Sequence, residues 1–375
     1  MYNNNLIATL IIILIILGVI LIMFKSYKLF IKKGFWSRQP IMKIRDMYIK
    51  NKIITDKFDN TEFLKLQPND SIEYVNVISD GITEFINNNF YSGAKFIDKY
   101  LKWYLSNKII KTSNFIIKNL SNIIGFISGI HINFTLYNKI FEGYYIDFLC
   151  IHKKFRNKSY ATKLISKLTH NANEYNNKKV HIFKIDNRSL PDIKIFTEVK
   201  YYLIDLDKIF IQKSLKIKND IEIRELNKND MSELYDYYNR YKKKFKIYQN
   251  YSFKEFIYKF QSYFFSKSYV IIKNSKIICF INLIIFIKNN VKMAEIAYLF
   301  CEYDKIDLTD LLILLTKIYS DTKIRKVYIT NISDNKVIIN YLLKKNFIKD
   351  LNIHTYFYLY NYIFERRLNS NEILF

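Results

Sequence analysis

Residues 144–162 constrain the fold most strongly, because an apolar run passes through a cationic turn into an amphipathic helix. Residues 144–151 are apolar or aromatic with one acid, Asp147, which is typical of a strand buried on both faces. From Ser159 onward, apolar residues recur at helical spacing, at Ala161, Leu164, Ile165, Leu168 and Ala172. This order predicts a strand that leads, through a basic turn, into the N-terminus of a helix.

The basic turn is a candidate phosphate site. Arg156 and Lys158 precede the predicted helix, and Asn157 or Ser159 is placed to cap it. A helix N-terminus offers backbone N–H groups and the positive end of a dipole, which together with two cations suit a pyrophosphate. The alternative is a basic surface turn between two core elements, and this run alone favours neither interpretation.

The predicted strand offers a second candidate site through its backbone. At a β-bulge, the main-chain N–H groups of Phe148 and Leu149 can point at a thioester carbonyl instead of pairing with a neighbouring strand. Their side chains are typical of core residues, so the residue types do not announce this role.

The order of predicted elements occurs twice along the chain. The first half is predicted to contain a helix at 159–175 and strands at 123–130, 144–151 and 180–185. The second half is predicted to contain helices at 308–319 and 336–345 and strands at 276–287, 293–301 and 327–331. The matching order predicts two α/β units joined near residues 213–220.

Composition limits the class of protein without deciding its function. Half of the 375 residues are hydrophobic and only 7 are glycine, which indicates a packed globular protein. The net charge of +25 is compatible with nucleic acid or an anionic membrane as a partner. Enrichment in Lys, Asn, Ile, Tyr and Phe is typical of an AT-rich genome, such as that of a large DNA virus, and accounts for most of this charge.

Cysteine and histidine are too scattered to indicate a metal site or a disulfide framework. Cys150, Cys279 and Cys301 lie far apart in the sequence, and the 5 histidines show no ligand spacing. We therefore expect a reducing compartment and no bound metal.

Residues 6–24 contain no charged side chain, and at about 1.5 Å per residue a helix of this length spans the ~30 Å core of a bilayer. The uncharged start and the absence of a small-residue cleavage site favour a permanent anchor over a cleaved signal peptide. Four lysines follow within residues 25–33, which predicts that the chain beyond them lies on the cytosolic side and that residues 1–5 lie outside.

Three separated motifs resemble the glycylpeptide N-tetradecanoyltransferase (N-myristoyltransferase) family. They are FWSRQPI at 35–41, IGFISGI at 124–130 and FLCIHKKFR at 148–156, in the family's order. Weaker similarity extends the resemblance over roughly residues 34–375, as a divergent and membrane-anchored member.

The resemblance implies an α/β (α+β) fold of two fused acetyltransferase-like (GNAT) units that share a twisted mixed sheet after the N-terminal transmembrane helix. The N-terminal unit, residues 34–215, would hold acyl-CoA, and the C-terminal unit, residues 216–375, would supply the peptide side and the terminal carboxylate. Residues 301–304 are acidic where the first unit has its basic turn, so only the first unit is expected to bind a CoA phosphate.

The implied reaction is transfer of a myristoyl group from myristoyl-CoA, a co-substrate, to the N-terminal glycine of proteins. The C-terminal carboxylate of Phe375 would act as the base, and the backbone N–H groups of Phe148 and Leu149 would form the oxyanion hole. The apolar ending of the chain permits burial, and a desolvated carboxylate has a raised pKa and is a better base. No permanently bound cofactor is implied.

The resemblance also assigns binding residues. Those expected around CoA are Phe35, Trp36, Ile151, Arg156, Asn157, Lys158, Ser159, Tyr160, Ala161 and Thr162. Those expected on the acceptor side are Phe85, Asp147 and Tyr298.

The acceptor side departs from the family pattern. Phe85 stands where a Tyr is expected, Asp147 stands where an Asn is expected, and residues 87–89 are Asn in place of an acidic stretch. Selectivity for basic acceptors is therefore expected to be relaxed. Two alternatives stay open, a catalytically degenerate relative that acts as a membrane adaptor, and a basic nucleic-acid-binding membrane protein.

Overall fold

The computed structural model describes residues 16–21, 35–46, 51–56, 61–90, 95–106, 108–176, 178–211 and 220–375. The predicted membrane span at 6–24 lies mostly outside these residues, and its described part, 16–21, is helical. Within the described ranges, no helix combines the length and the apolar character needed to cross a bilayer. The predicted linker at 25–33 and most of the predicted joint at 213–220 also lie outside the described residues.

Helices are interspersed with runs of consecutive strands along the described chain. The helices are α1 Phe35–Arg38, α2 Asp80–Asn89, α3 Asp98–Leu105, α4 Tyr160–Asn176, α5 Leu206–Phe210, α6 Met231–Tyr241, α7 Phe253–Phe260, α8 Leu308–Thr322 and α9 Lys336–Lys344. The strands of the first half are β1 Lys52–Ile53, β2 Asp70–Val75, β3 Lys95–Phe96, β4 Thr112–Asn119, β5 Asn122–Leu136, β6 Lys139–Ile151, β7 Val180–Asp186 and β8 Thr197–Asp205. Those of the second half are β9 Ile221–Glu225, β10 Ile247–Asn250, β11 Ser266–Lys273, β12 Lys276–Lys288, β13 Val291–Cys301, β14 Lys326–Thr330, β15 Ile348–Tyr360, β16 Tyr362–Ile363 and β17 Ile373–Leu374.

One mixed sheet of 15 strands runs through both halves. Its order is β17-β10-β5-β6-β7-β15-β8-β14-β13-β12-β11-β9, with β4 and β2 extending from β5 and β3 lying beside β12. The halves meet where β8 lies between β15 and β14, both of which it pairs with in antiparallel fashion. The prediction of a single sheet shared by two halves is therefore confirmed.

Both halves contain the same local arrangement. In the first half β5 and β6 are antiparallel, α4 follows, and β7 returns parallel to β6. In the second half β12, β13, α8 and β14 follow the same order with the same pairings. The predicted strands and helices are thus present with mostly similar bounds. The largest differences are that β5 continues to Leu136 and β6 begins at Lys139, because the two strands pair with each other up to this turn and the end of β5 also pairs with β10.

Helix α4 packs on the first half of the sheet through the side chains that its spacing predicted. Leu164, Leu168 and Ala172 are fully buried in one cluster with Ile127 and Tyr144 of β5 and β6. This packing fixes the start of α4 against the end of β6.

Two cysteines that are far apart in sequence are neighbours in the sheet. Cys279 of β12 pairs with Cys301 of β13, and both are buried free thiols. The wide separation of these two cysteines in the sequence had not indicated that they would be neighbours.

Candidate active site

A β-bulge interrupts β6 where the sequence predicted an oxyanion hole. Ser128 pairs with Asp147 and Phe126 pairs with Cys150, so two residues, Phe148 and Leu149, lie opposite Ile127. Phe148 adopts a φ of 52°, a left-handed conformation that costs free energy for a non-glycine residue. The bulge therefore turns the Phe148 backbone away from the regular strand ladder.

Aromatic packing holds the bulge in this conformation. The Phe148 side chain is 3% exposed, and its ring centroid lies 5.0 Å from that of Phe90, 5.5 Å from Phe96 and 6.0 Å from Tyr104. The exposed fraction of Leu149 is 37%. The surrounding side chains thus hold the Phe148 backbone in its strained conformation.

The Phe148 N–H has an acceptor in this structure. It donates to Oδ1 of Asp147, the preceding residue, at 2.9 Å. An N–H group that leaves the ladder at a bulge is suited to bind an oxyanion, but here a carboxylate oxygen accepts it. The two candidates that the sequence placed side by side, Asp147 and Phe148, are therefore hydrogen-bonded to each other.

A cavity of about 420 Å³ opens beside the bulge. Its wall includes Asp147 and Phe148 from β6, Tyr298 from β13 and the terminal residue Phe375. Aromatic and apolar side chains form much of the remaining wall, among them Phe90, Phe96, Tyr100, Trp103, Tyr104, Phe286 and Phe357. A mostly apolar cavity with a few convergent polar groups is the usual form of a small-molecule or acyl-chain site.

The last strand brings the chain terminus to this cavity. β17 pairs in parallel with β10 through Ile373 and Leu374, which are 0% and 3% exposed. The Lys246 N–H donates to the Glu372 carbonyl at 2.8 Å, which fixes the segment just before the strand. Phe375 itself is half-buried, packs against the core and lines the same cavity as Phe148.

Six charged side chains line the cavity wall, and the sequence had indicated only one of them. Two of the six are Lys259 of α7 and Lys288 of β12. Asp147 lies on β6, Lys184 and Asp186 lie on β7, and Glu295 lies on β13. Charged residues in otherwise apolar strands were a signal that sequence reasoning passed over. Their meeting depends on the order of strands in the sheet, which the sequence does not state.

Burial and neighbouring charges shift the pKa values of the groups in this cluster. Burial raises the pKa of the Asp147 and Glu295 carboxyl groups, and the nearby Lys184 ammonium opposes both shifts. Burial opposes the charged form of Lys184, but Tyr145, Asp147 and Tyr201 outweigh it, so the pKa of Lys184 is raised well above its ordinary value. Lys184 is therefore a cation inside the cavity.

The residues predicted to bind CoA all belong to the described part of the chain, and none of them lines this cavity. The Arg156 guanidinium donates from Nε to the Ile151 carbonyl at 3.1 Å and from a terminal nitrogen to the Asn89 carbonyl at 3.3 Å. Arg156 thus ties the turn to the end of α2, and three of its five N–H groups are left for other partners. Lys158 lies at the surface with its ammonium 5.5 Å from the Phe155 ring centroid.

The turn itself is tightly wound before α4. Asn157 and Ser159 adopt φ angles of 62° and 61°, and the Ser159 carbonyl accepts hydrogen bonds from the Lys163 N–H and the Thr162 hydroxyl. Tyr160 donates its hydroxyl hydrogen to Asp70, and Ala161 packs against the core beside α4. The first N–H groups of α4, which lack acceptors within the helix, are therefore presented next to a basic turn.

Phe35 and Trp36 pack on the same side of the core as α4. Trp36 stacks on Phe183 at 5.5 Å with the ring planes 9° apart, and Phe35 meets Phe63 edge-on at 5.0 Å. Ile151, also predicted at the CoA site, is buried in the same cluster. These three residues shape the surroundings of the α4 N-terminus.

The acceptor-side predictions divide between the cavity and the core. Asp147 and Tyr298 line the cavity, and the Tyr298 hydroxyl lies 3.0 Å from that of Tyr251. Phe85 is instead buried in the hydrophobic cluster that contains Phe148. The Asn87 amide group bonds both the N–H and the carbonyl of Phe96, so it serves α2 packing in place of an acidic recognition stretch.

Comparison with known proteins agrees with this arrangement. Residues 54–182 match the family model described as Myristoyl-CoA:protein N-myristoyltransferase, N-terminal domain. The chain is 31% identical over 187 residues to a putative glycylpeptide N-tetradecanoyltransferase of Amsacta moorei entomopoxvirus, covering 48% of this chain and 60% of that protein. It is 27% identical over 262 residues to the glycylpeptide N-tetradecanoyltransferase of Dictyostelium discoideum, covering 59% of this chain and 63% of that protein. The matched part thus spans about three fifths of the length of these two curated relatives.

The fold agrees over a longer stretch than the sequence does. The crystal structure of Saccharomyces cerevisiae N-myristoyltransferase with bound myristoyl-CoA superposes with a TM-score of 0.73 at 18% identity, covering 90% of this chain and 94% of that one. A second structure of the yeast protein, with myristoyl-CoA and inhibitors, gives a TM-score of 0.75 at 17% identity. The predicted resemblance is confirmed, and the chain has the mixed α+β fold of a family of acyltransferases.

Proposed function

We propose that this divergent relative of the N-myristoyltransferases transfers a tetradecanoyl group from acyl-CoA to the N-terminal glycine of proteins. The observation that carries the proposal is that the Phe148 bulge and the terminal residue Phe375 line one cavity. These are the two elements that direct attack of an amine on a thioester requires, a site for the oxyanion and a nearby carboxylate base.

In the proposed reaction, the acceptor amine first loses a proton, because most N-terminal amines are protonated below a pKa of about 8. The terminal carboxylate of Phe375 takes that proton, and the neutral amine attacks the thioester carbonyl carbon. The N–H groups of Phe148 and Leu149 stabilise the oxygen as it gains negative charge. Collapse of the intermediate breaks the C–S bond while one proton of the attacking nitrogen passes to the leaving sulfur, so the products are an amide and CoA as the thiol.

On the donor side, we assign the CoA phosphates to the N-terminus of α4 and the basic turn before it. Lys158 would supply a mobile cation, and Arg156 would keep the turn in shape through its bonds to the Ile151 and Asn89 carbonyls. Acyl-CoA enters as a co-substrate, and the proposal needs no permanently bound cofactor.

The proposal includes the organisation of the chain. The repeated strand and helix order supports two fused GNAT-like units, at 34–215 and 216–375, with the donor site in the first. Residues 6–24 would anchor the protein in a membrane with both units on the cytosolic side, as the uncharged run and the lysines after it suggest.

A second candidate is a catalytically degenerate adaptor that binds acyl-CoA without transferring the acyl group. The hydrogen bond from the Phe148 N–H to Asp147 favours it, because an oxyanion donor held by a carboxylate is not available to a thioester oxygen. The basic-residue recognition stretch is also replaced by asparagines at 87–89.

The deciding experiment incubates the full-length protein, in detergent micelles, with tetradecanoyl-CoA and a peptide that begins with glycine. Mass spectrometry should show the peptide gaining one tetradecanoyl group, and the same peptide with an acetylated N-terminus should gain none. If the protein binds tetradecanoyl-CoA but forms no product, the transferase proposal fails and the adaptor candidate stands.

A further inference from the structure

We propose that Lys184 is a positioning residue that draws the Asp147 carboxylate off the Phe148 N–H when acyl-CoA occupies the cavity, so that this N–H can bind the thioester oxygen. The inference rests on the proposed acyl-transfer function and assigns a step that the reaction needs in this chain.

The need for such a step follows from the position of Asp147. Its Oδ1 accepts the Phe148 N–H at 2.9 Å, so the donor that should meet the thioester oxygen is engaged. A carboxylate at this place also repels the negative charge that develops on that oxygen, and repulsion between close charges is strong in a cavity shielded from water. Transfer therefore requires that Asp147 move and that its charge be offset.

Lys184 is placed to do both. In the parallel pair β6 and β7, Tyr145 lies opposite Ile182 and Ile146 lies opposite Phe183. The next step of this register sets Asp147 beside Lys184, on strands about 4.8 Å apart and with both side chains on one face. Both residues line the cavity.

The Lys184 ammonium is not committed to another carboxylate. Among the described residues it forms no salt bridge, and it lies beside the Tyr145 hydroxyl. Another cavity acid, Asp186, already has a hydroxyl donor, since it accepts from Thr355. Asp147 has only the Phe148 N–H as its hydrogen-bond donor in the described chain. Its carboxylate is therefore the one with which the flexible Lys184 side chain can form an ion pair.

A double-mutant cycle separates this role from a structural one. Lys184→Met should lower kcat about 100-fold in the natural chain, the usual scale for loss of an oxyanion donor, while the KM for acyl-CoA stays within about threefold. In an Asp147→Ala background no carboxylate competes for the N–H, so the same lysine change should alter kcat by less than about threefold. Lys184→Arg keeps the charge and should retain most of the activity. Equal losses in both backgrounds would show that Lys184 acts independently of Asp147 and would overturn the proposal.

A second measurement uses the natural chain and does not depend on turnover. The protein is crystallised with an acyl-CoA analogue that keeps the carbonyl but has a methylene between carbonyl and sulfur, so that transfer is blocked. We expect the Asp147 carboxylate to contact Lys184 and the Phe148 N–H to point at the carbonyl oxygen of the analogue. Persistence of the Phe148–Asp147 hydrogen bond with the analogue bound overturns the inference. Because this outcome needs no product, it can be told apart from a failure of the transferase proposal itself.

Discussion

Ile373 pairs in parallel with Ile247, and this pairing carries the end of the chain into the cavity beside the Phe148 bulge. The pair closes one edge of the sheet with residues that lie more than a hundred positions apart in sequence. A terminal segment that is built into a sheet is ordered, unlike the frayed ends of most domains. The position of Phe375 is therefore set by the pairing of β17 with β10.

Adding two residues after Phe375 should abolish turnover while leaving acyl-CoA binding intact. At about 3.3 to 3.6 Å per extended residue the carboxylate would move by roughly 7 Å. Proton transfer needs a heavy-atom distance of about 2.6 to 3.2 Å. Loss of a positioned base typically lowers the reaction rate by a factor of about 10² to 10⁴. Initial rates at saturating donor, together with calorimetric binding of acyl-CoA, measure the two effects separately.

Removal of Leu374 and Phe375 gives a matched comparison, because it also displaces the carboxylate but in the opposite direction. Both variants should lose rate and keep donor affinity. An extended chain that keeps its natural rate means that the terminal carboxylate is not the base, and Asp147 then becomes the residue to test.

The two cations of the basic turn should differ in what their removal does. Lys158→Ala and Arg156→Ala together should weaken CoA binding by about 1 to 3 kcal/mol, since charge-assisted phosphate contacts are lost. Arg156→Ala should also lower the melting temperature, because its guanidinium bonds the Ile151 and Asn89 carbonyls. Lys158→Ala should leave the melting temperature unchanged. CoA affinity that is unchanged within error in the double variant would remove the phosphate site from this turn.

The elements of the fold were predictable because they depend on local spacing. The strand, turn and helix at 144–162 follow from the spacing of apolar side chains along the sequence. The similar arrangement in the second half follows from the same spacing there. The bulge at Phe148 was considered from the strand itself and assigned as an oxyanion hole from the resemblance, and the pairing of β5 with β6 places a bulge there.

The charged wall of the cavity was not predictable in the same way. Lys184 and Glu295 lie more than a hundred residues apart, and only the order β6-β7-β15-β8-β14-β13 brings them to one cavity. The neighbouring cysteines did leave a signal. Cys279 and Cys301 lie at nearly equal distances along the chain from the turn between β12 and β13, so the hairpin brings them close together. A one-residue bulge after Asn282 accounts for the remaining difference in distance.

Gly143→Ala should destabilise the protein by more than a typical single substitution, which costs about 1 kcal/mol. A Cβ added at Gly143 would lie 1.8 Å from the Val180 carbonyl oxygen, which is backbone in the parallel pair of β6 and β7. That strand pair carries Asp147 and Lys184, so the strain would also reach the cavity.

Gly81→Ala in α2 is the matched control, because the nearest atom to its added Cβ is the Ser79 hydroxyl oxygen at 4.0 Å. It should be neutral or stabilising by up to about 1 kcal/mol, as alanine favours a helix over glycine. Urea denaturation measures both free energies of unfolding. Equal effects of the two substitutions would contradict the close approach of β6 and β7 at Gly143.

The last prediction concerns acid stability, which one buried and one partly buried histidine should control. His131 lies 3.2 Å from the Ser113 hydroxyl, and His181 is stacked between the rings of Tyr144 and Tyr360. Burial lowers the pKa of His131 to about 4 and that of His181 to about 3. Above about pH 7.5 the two histidines are almost entirely neutral in both the folded and the unfolded chain, so they add little pH dependence there.

Below about pH 6.5 the unfolded chain binds protons that the folded chain refuses, so stability falls as the pH drops toward the folded pKa values. Each histidine contributes up to about 1.4 kcal/mol per pH unit to this slope, and less for His131, which is only partly buried. Replacing His181 with Gln removes one titrating group and should flatten the slope between about pH 6 and pH 4. Changing His152, which is only partly buried and lies in the surface turn after β6, to Gln serves as the control for losing an imidazole outside the core. Urea denaturation at a series of pH values gives the slopes directly, and an undiminished slope in the His181 variant would show that its burial does not govern acid unfolding.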